Sequence, residues 1–279
     1  MKTSQLGLLS PLSRTLTWSG LSALLLTTAL PLAQAAREMS TDRPDATESP
    51  FTVEPGRIQV ETSLVSYERD RHNPERDDTK VDVWNVAPFN IRIGLTPAWE
   101  LQVVADSYLD VKVESRSEGY RVRQRGIGDL TLRVKYNVWG NDGGESALGI
   151  MPFVKLPTAS DDLGNDSVEG GVIFAYGSNL NETWGFGAMT EIDWVRNEED
   201  DGYDWVWLNT VTVGRDLTDR LGMFLELTLE TGPGKPAATF NTGTTYAVTE
   251  DFQLDLGLNF GLTRAAPDLG AFVGMSRRF

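Results

Sequence analysis

The feature that most constrains this chain is a regular alternation of apolar and polar residues in long segments. In FQLDLGLNFGL, residues 252–262, every second residue is apolar, and the residues between are polar or glycine. Because a β-strand turns successive side chains to opposite faces, such a segment has one apolar and one polar face. The fold class depends on whether the apolar face packs in a protein core or contacts lipid.

The same alternation recurs along most of the chain and predicts twelve strands. They are predicted at residues 56–67, 81–93, 100–113, 129–138, 147–156, 168–178, 184–195, 203–214, 220–230, 238–248, 252–262 and 268–279. Segments of roughly ten to twelve residues suit tilted strands that cross a bilayer, whereas soluble strands average about five or six.

Connections between these segments alternate between short turns and mostly longer, more charged loops. Outer-membrane barrels show this asymmetry, with short periplasmic turns and long outer loops. The sequence therefore predicts an all-β, transmembrane, antiparallel up-and-down β-barrel of about 12 strands with both termini periplasmic. A soluble periplasmic sandwich or lipocalin-like barrel would show the same alternation and is the alternative fold.

The N-terminus predicts export. Lys2 and Arg14 precede a short apolar run at residues 21–33, and a small-residue cleavage site ends at Ala35. The predicted organisation is a signal peptide at 1–35, an N-terminal periplasmic or lumen segment at 36–55, and a transmembrane barrel at 56–279.

Aromatic residues agree with an outer-membrane location. Most tryptophans lie near predicted strand ends, where interfacial girdles belong. The chain ends on Phe279 inside its last strand, which resembles the terminal aromatic residue that the barrel-assembly machinery reads in bacterial outer-membrane proteins. The predicted partners are therefore outer-membrane lipid, that machinery and small solutes.

Composition excludes several functions. The formal charge of −15 argues against nucleic acid as a partner, and the absence of cysteine excludes disulfides and thiol chemistry. The only histidine, His72, lies in a charged loop and makes neither a triad nor a zinc site. No catalytic residue, metal site or cofactor is predicted.

If the apolar faces contact lipid, the polar faces line a lumen. Strand parity predicts basic side chains in the first half of the barrel, mixed with acids such as Asp82 and Asp110, and only acidic ones in the second half. The lumen candidates are Arg92, Lys112, Arg133, Lys135, Lys155, Glu191, Asp193, Glu226, Glu230 and Asp255. Such segregation would set up a field across a pore, although ion pairs could equally fill a narrow lumen.

The segment 38–56 contains three prolines and is too polar for lipid. It could enter the lumen as a plug, with Arg43 and Asp45 pairing with wall charges, or lie at the periplasmic mouth. Both arrangements are compatible with the sequence.

One stretch has a family resemblance. TDRPD at residues 41–45, Ser49-Pro50, Pro55-Gly56 and the pair Gln59 and Glu61 resemble the opening of an outer-membrane transporter family of the meta pathway of phenol degradation. GIGDL at 126–130 and PFVKLPT at 152–158 are similar to later parts of that family. The resemblance implies a β-barrel that moves small, hydrophobic or aromatic compounds, and it supplies no catalytic or ligand residue.

The predicted function is passive passage of small solutes across the outer membrane. A closed structural or surface barrel without a transport role is the alternative function. Pro88 and Pro152, inside predicted strands, are weak signs that the wall is locally disrupted and could release solutes sideways.

Overall fold

The computed structural model describes residues 37–71, 73, 79–115, 117–160, 163–197 and 202–279. The predicted signal peptide and His72 lie outside the described residues. Among the described residues we find no helix that could span a bilayer. The strands are β1 Ile58–Asp70, β2 Lys80–Val86, β3 Phe89–Gly94, β4 Trp99–Ala105, β5 Tyr108–Ser115, β6 Tyr120–Gly126, β7 Leu130–Trp139, β8 Ser146–Leu156, β9 Glu169–Asn179, β10 Trp184–Arg196, β11 Tyr203–Asp216, β12 Leu221–Thr231, β13 Ala237–Thr249, β14 Phe252–Gly261 and β15 Leu269–Arg278.

Antiparallel pairing closes these strands into a barrel. Each strand from β7 to β14 pairs with the next, and β15 pairs with β1. In the remaining wall three pairs of segments lie end to end and each pair forms one long strand: β2 with β3, β4 with β5, and β6 with β7. The fifteen segments therefore make twelve wall strands. The prediction of an all-β, antiparallel barrel of this size is confirmed, and the periplasmic location of the termini stays a prediction.

The apolar face of residues 252–262 points outward. Leu256 in β14 is 52% exposed, whereas its neighbour Asp255 is 4% exposed and bonds to a side chain inside the barrel. Exposed leucines and valines recur on the outer face of other wall strands, including Leu227 and Val273. A continuous apolar outer surface of this kind is what hydrocarbon solvates in a membrane barrel.

Aromatic side chains flank this apolar band at both ends. Trp99 stacks on Tyr136 near the short turns, with ring centroids 4.5 Å apart. Trp194 packs against Trp205 near the opposite end, with centroids 4.6 Å apart and the rings tilted by 49°. Two girdles at the membrane interfaces explain this placement, because indole and phenol rings suit the headgroup region. Below, the barrel end that carries the short turns is called the turn end, and the other is called the loop end.

Four neighbouring wall strands are interrupted along one line, here called the seam. It consists of Leu64, Ala87–Pro88, Asp106–Ser107 and Ile127–Asp129. The pairing of β1 shifts register at Leu64, and Ala87 has a positive φ of 54°. The seam is tied together by the Gly128 N–H, which donates to the Asp106 carbonyl over 3.0 Å. Such bulges bend a strand and change which residues face inward.

The prediction that residues 81–93 form one strand in a single phase is wrong because of the seam. Val86 and Phe89 are three residues apart, yet both face outward. Counting by twos from each of them, Ile91 faces outward, whereas Val81 and Val83 face inward. A shift of one residue moves every following side chain to the other face of a sheet. The sequence predicts the alternation but not this change of phase.

The prediction of a charged loop between the strands at 100–113 and 129–138 is also wrong. In this stretch β6 forms a β-hairpin with β5, in which Ser115 of β5 lies opposite Tyr120 of β6. The hairpin extends the wall at the loop end beyond the seam. Its arginines made it resemble a solvated loop, although every second residue of Tyr120–Gly126 is uncharged.

Candidate lumen site

The N-terminal segment, residues 37–56 and here called the plug, lies inside the barrel at the turn end. Arg278 of β15 donates to the Arg37 carbonyl at one end of the plug and to Glu54 at the other, over 2.9 and 3.0 Å. Between these points the plug bonds to β1, β3, β4, β7, β11, β12 and β14. The plug therefore crosses the lumen and is held from nearly every side.

A cluster of buried charges holds the first part of the plug. Arg92 of β3 has no exposed surface and donates to Glu100 over 2.8 Å and to Glu61 over 2.9 Å. Lys135 of β7 donates to Asp42 of the plug over 2.5 Å. Burial acts to raise the pKa of Asp42, but Arg92 and Lys135 outweigh it and lower the pKa to about 2. Asp42 therefore stays ionised at neutral pH.

A second anchor is the ion pair of Arg43 with Asp255. The guanidinium donates to both carboxylate oxygens, over 2.9 and 2.6 Å, and to Ser63 over 3.0 Å. It also lies over the Phe272 ring, 5.4 Å from the centroid. A bidentate pair with these further contacts fixes the position of the plug more firmly than a single contact would.

Glu226 of β12 receives the tip of the plug. Its carboxylate accepts from the Thr47 N–H over 2.7 Å and from the Ala46 N–H over 3.0 Å. Burial and the nearby Glu226 carboxylate raise the pKa of Asp45, which lies beside this contact, to about 7. The charge at the tip of the plug therefore changes near neutral pH.

The returning half of the plug pairs with β7 and β4. Glu48 accepts from Arg133 over 2.5 Å, and the Val53 N–H donates to Glu100 over 2.6 Å. Glycines in the wall make room for it. A Cβ at Gly94 would lie 2.0 Å from the Glu54 carbonyl oxygen, and one at Gly274 would lie 2.1 Å from the Arg43 guanidinium. A side chain at position 94 would displace the plug backbone, and one at position 274 would displace the Arg43 guanidinium.

The plug leaves one side of the lumen open at the turn end. A cavity of about 560 Å³ lies between the plug and strands β9 to β13. It extends from Asp45 and Glu48 on the plug to Asn181 in the β9–β10 turn. The wall strands carry glycines here, at Gly185, Gly187, Gly214 and Gly222, which widens this side.

Acidic side chains face the lumen beyond the tip of the plug. Glu191 of β10 lies opposite Leu208, which lies opposite Glu230 of β12, so all three share the inner face with Asp193. The bases that lie across from them are engaged, because Arg133 pairs with Glu48 and Lys155 pairs with Glu169. The open part of the lumen is therefore acidic.

Most of the predicted lumen residues lie on the inner face, but they do not line one open pore. Arg92, Arg133, Lys135, Glu226 and Asp255 bond to the plug, and the plug residue that pairs with Asp255 is Arg43. Lys155, Glu191, Asp193 and Glu230 lie beyond it.

The lumen prediction for Lys112 is wrong, and so are those for Asp82 and Asp110. Lys112 lies opposite Asp82 and Arg123, and Asp82 accepts from Tyr67 on the outer face. The phase changes at Asp106–Ser107, so the side chains of β5 that would continue the inner face of β4 lie on the outer face. These three charged residues lie on the outer face of the wall beyond the seam.

Residues of the plug that sequence reasoning did not select are Asp42, Thr47 and Glu48. A signal was present for Asp42, because it belongs to the TDRPD motif and contacts the Gln59/Glu61 motif. The Asp42 N–H donates to Glu61 over 3.0 Å, and the Gln59 amide donates to the Ser40 carbonyl over 2.9 Å. The TDRPD and Gln59/Glu61 motifs thus bind each other across the plug and the first strand.

Comparisons with known proteins agree with this architecture. A family model described as "Putative MetA-pathway of phenol degradation" matches residues 41–279. An outer membrane channel from Pseudomonas putida F1 is similar with a TM-score of 0.66 and 16% identity, covering 86% of this chain and 100% of that one. A search of curated proteins found no match.

Two other solved structures are similar at lower scores. The NanC porin has a TM-score of 0.50 and 12% identity, covering 79% of this chain and 98% of that one. The translocator domain of the autotransporter NalP from Neisseria meningitidis has a TM-score of 0.50 and 9% identity, covering 80% and 88%. At these identities the likeness concerns the fold, which is that of an outer-membrane barrel.

Proposed function

Because the chain belongs to the family described as "Putative MetA-pathway of phenol degradation", we propose that it is an outer-membrane channel for passive passage of small solutes. The observation that carries the proposal is a closed wall, apolar outside and polar inside, with an open cavity of about 560 Å³ beside the plug. Solutes pass along the side of β9 to β13, where glycines widen the lumen. The family description supports hydrophobic or aromatic compounds as the solutes.

The orientation follows from the same proposal. The turn end faces the periplasm, so that the plug, the chain termini and Phe279 lie on that side, and the β5–β6 hairpin extends outward from the cell. Short turns at the periplasmic end and longer loops outside are the rule for such barrels. The barrel-assembly machinery would then recognise Phe279 from the periplasm.

The alternative is a closed structural barrel. It is favoured by the number of charged contacts that hold the plug, among them the Arg43–Asp255 and Lys135–Asp42 pairs. Purified protein in planar bilayers separates the two functions. A channel gives steady ohmic currents, and consistently silent bilayers would support the structural role.

Ion selectivity tests the path beside β10. We expect the current to prefer cations, because Glu191, Asp193 and Glu230 face the open lumen while Arg133 and Lys155 are paired. Replacing two carboxylates, E191Q with D193N, should bring the reversal potential in a KCl gradient markedly closer to zero. The control R121Q removes a charge from the outer face of the hairpin and should leave the reversal potential unchanged. Equal selectivity in all three proteins would place the ion path elsewhere.

A further inference from the structure

Beyond the seam, the inner face of β2, β5 and β6 carries a group of valines. Val81 lies opposite Val113, Val83 lies opposite Val111, and Val113 lies opposite Val122 of β6. Residues that lie opposite each other in a ladder share a face, so these valines form one continuous patch. Elsewhere in the barrel the inner face carries charged and polar groups, so the patch reverses the general pattern.

The register of β1 proves which way the patch faces. Ser66 of β1 lies opposite Phe272, and the ring of Phe272 lies under Arg43 inside the barrel. Glu68, two residues after Ser66, lies opposite Val83. Side chains two residues apart in a strand share a face. The patch therefore faces the axis of the barrel, above the open lumen.

The outer face of the same strands is charged. Arg123 and Arg125 bond to Asp110, and Arg121 bonds to Glu114 over 2.8 Å. A surface with this density of ion pairs is not solvated by acyl chains. The hairpin therefore projects beyond the hydrocarbon layer, and lipid contact does not explain its valines.

The patch lines a cavity of about 500 Å³. The floor is formed by the four valines of β2 and β5, namely Val81, Val83, Val111 and Val113. Hydroxyl and carboxyl groups form the rim, at Glu68, Thr79, Ser115, Glu118 and Tyr120. This volume and this composition are those of a small-molecule site, with an apolar bed and a few polar groups at its margin.

β6 forms one side of the cavity, where Tyr120 lies. Among the described strands β6 pairs only with β5, so its other edge has no partner strand. Val122 and Tyr120 on this edge are 43% and 40% exposed. The unpaired edge of β6 therefore offers a solute a route to the valines from the side of the hairpin.

We propose that this cavity captures a small, uncharged, largely apolar molecule with one hydrogen-bond donor before it enters the lumen. The valines bind its apolar body, and the Glu118 carboxylate and the hydroxyls of the rim accept from its donor. As the capture step of a channel, the proposal rests on the proposed function. Anions are disfavoured by the Glu118 carboxylate at the rim.

The test measures binding of a probe of this class, 4-fluorophenol, by ¹⁹F NMR titration of the full chain in lipid nanodiscs, with empty nanodiscs subtracted. Wild-type protein should show saturable binding. The double variant V83T/V111T keeps side-chain volume but places hydroxyls on the floor, and it should weaken binding by about tenfold. The control K112Q, on the outer face beside Val111, should bind as the wild type does.

Two results would overturn the proposal. The first is no saturable binding to wild-type protein whose folding is verified by heat-modifiable migration on a gel. The second is equal binding by V83T/V111T, because the probe would then bind elsewhere. Wild-type currents in planar bilayers separate this proposal from the function itself: binding without current contradicts the channel, and current without binding contradicts only the capture site.

Discussion

Deleting residues 38–50 is expected to raise the single-channel conductance severalfold. This deletion removes the part of the plug that contacts the middle of the lumen, including the Arg43 and Glu48 pairs with Asp255 and Arg133. The groups left behind can hydrate, because water replaces the plug around them. Conductance is measured in planar bilayers at fixed salt for the deletion variant and the wild type.

A milder variant makes this prediction more specific. R43Q breaks the bidentate pair with Asp255 but leaves the rest of the plug, so we expect a smaller rise or more frequent switching between current levels. R121Q, on the exposed outer face of the hairpin, should conduct as the wild type does. If the deletion leaves the conductance unchanged, the plug does not obstruct the path.

Replacing Arg92 by methionine is expected to reduce stability by about 3–5 kcal/mol, the usual cost of removing one partner from a buried charge network. Arg92 has no exposed surface and contacts Asp42, Glu61 and Glu100. The variant leaves these three carboxylates close together, with Lys135 as the remaining base among them.

The stability of R92M is measured as the urea midpoint of the folded barrel in phospholipid vesicles. R92K keeps the charge but loses the fork of donors, so its midpoint should lie between those of R92M and the wild type. R121Q should be nearly unchanged, because Arg121 is largely exposed and its pair with Glu114 is screened by water. A wild-type midpoint for R92M would show that the cluster adds nothing to stability.

The alternation of apolar and polar residues predicts where a strand runs and which of its faces is apolar, but it does not predict where two strands bulge together. In β14 the period of two runs unbroken from Phe252 to Gly261, and strand, length and outward face are all predicted correctly. Across Ala87–Pro88 the same period is present on both sides but is shifted by one. The shift depends on pairing with Leu64 and Asp106, whose positions in the sequence do not reveal that they are neighbours.

The site was less accessible to sequence reasoning than the wall. The segment at 38–56 is polar and therefore favours contact with water. Because both the lumen and its mouth contain water, polarity does not distinguish between these two locations. Its position depends on partners remote in sequence, such as Asp255 for Arg43 and Glu226 for Thr47. Only the family motif TDRPD indicated that these residues were more than a tail.

Spin-label accessibility along β14 tests most directly that the apolar face contacts lipid and the polar face encloses water. The chain has no cysteine, so single cysteines at positions 253, 256, 258 and 259 each carry one label. In reconstituted bilayers, labels at 256 and 258 should be more accessible to oxygen, and labels at 253 and 259 more accessible to a water-soluble nickel chelate. Equal access of the nickel chelate to both sets would contradict the membrane barrel.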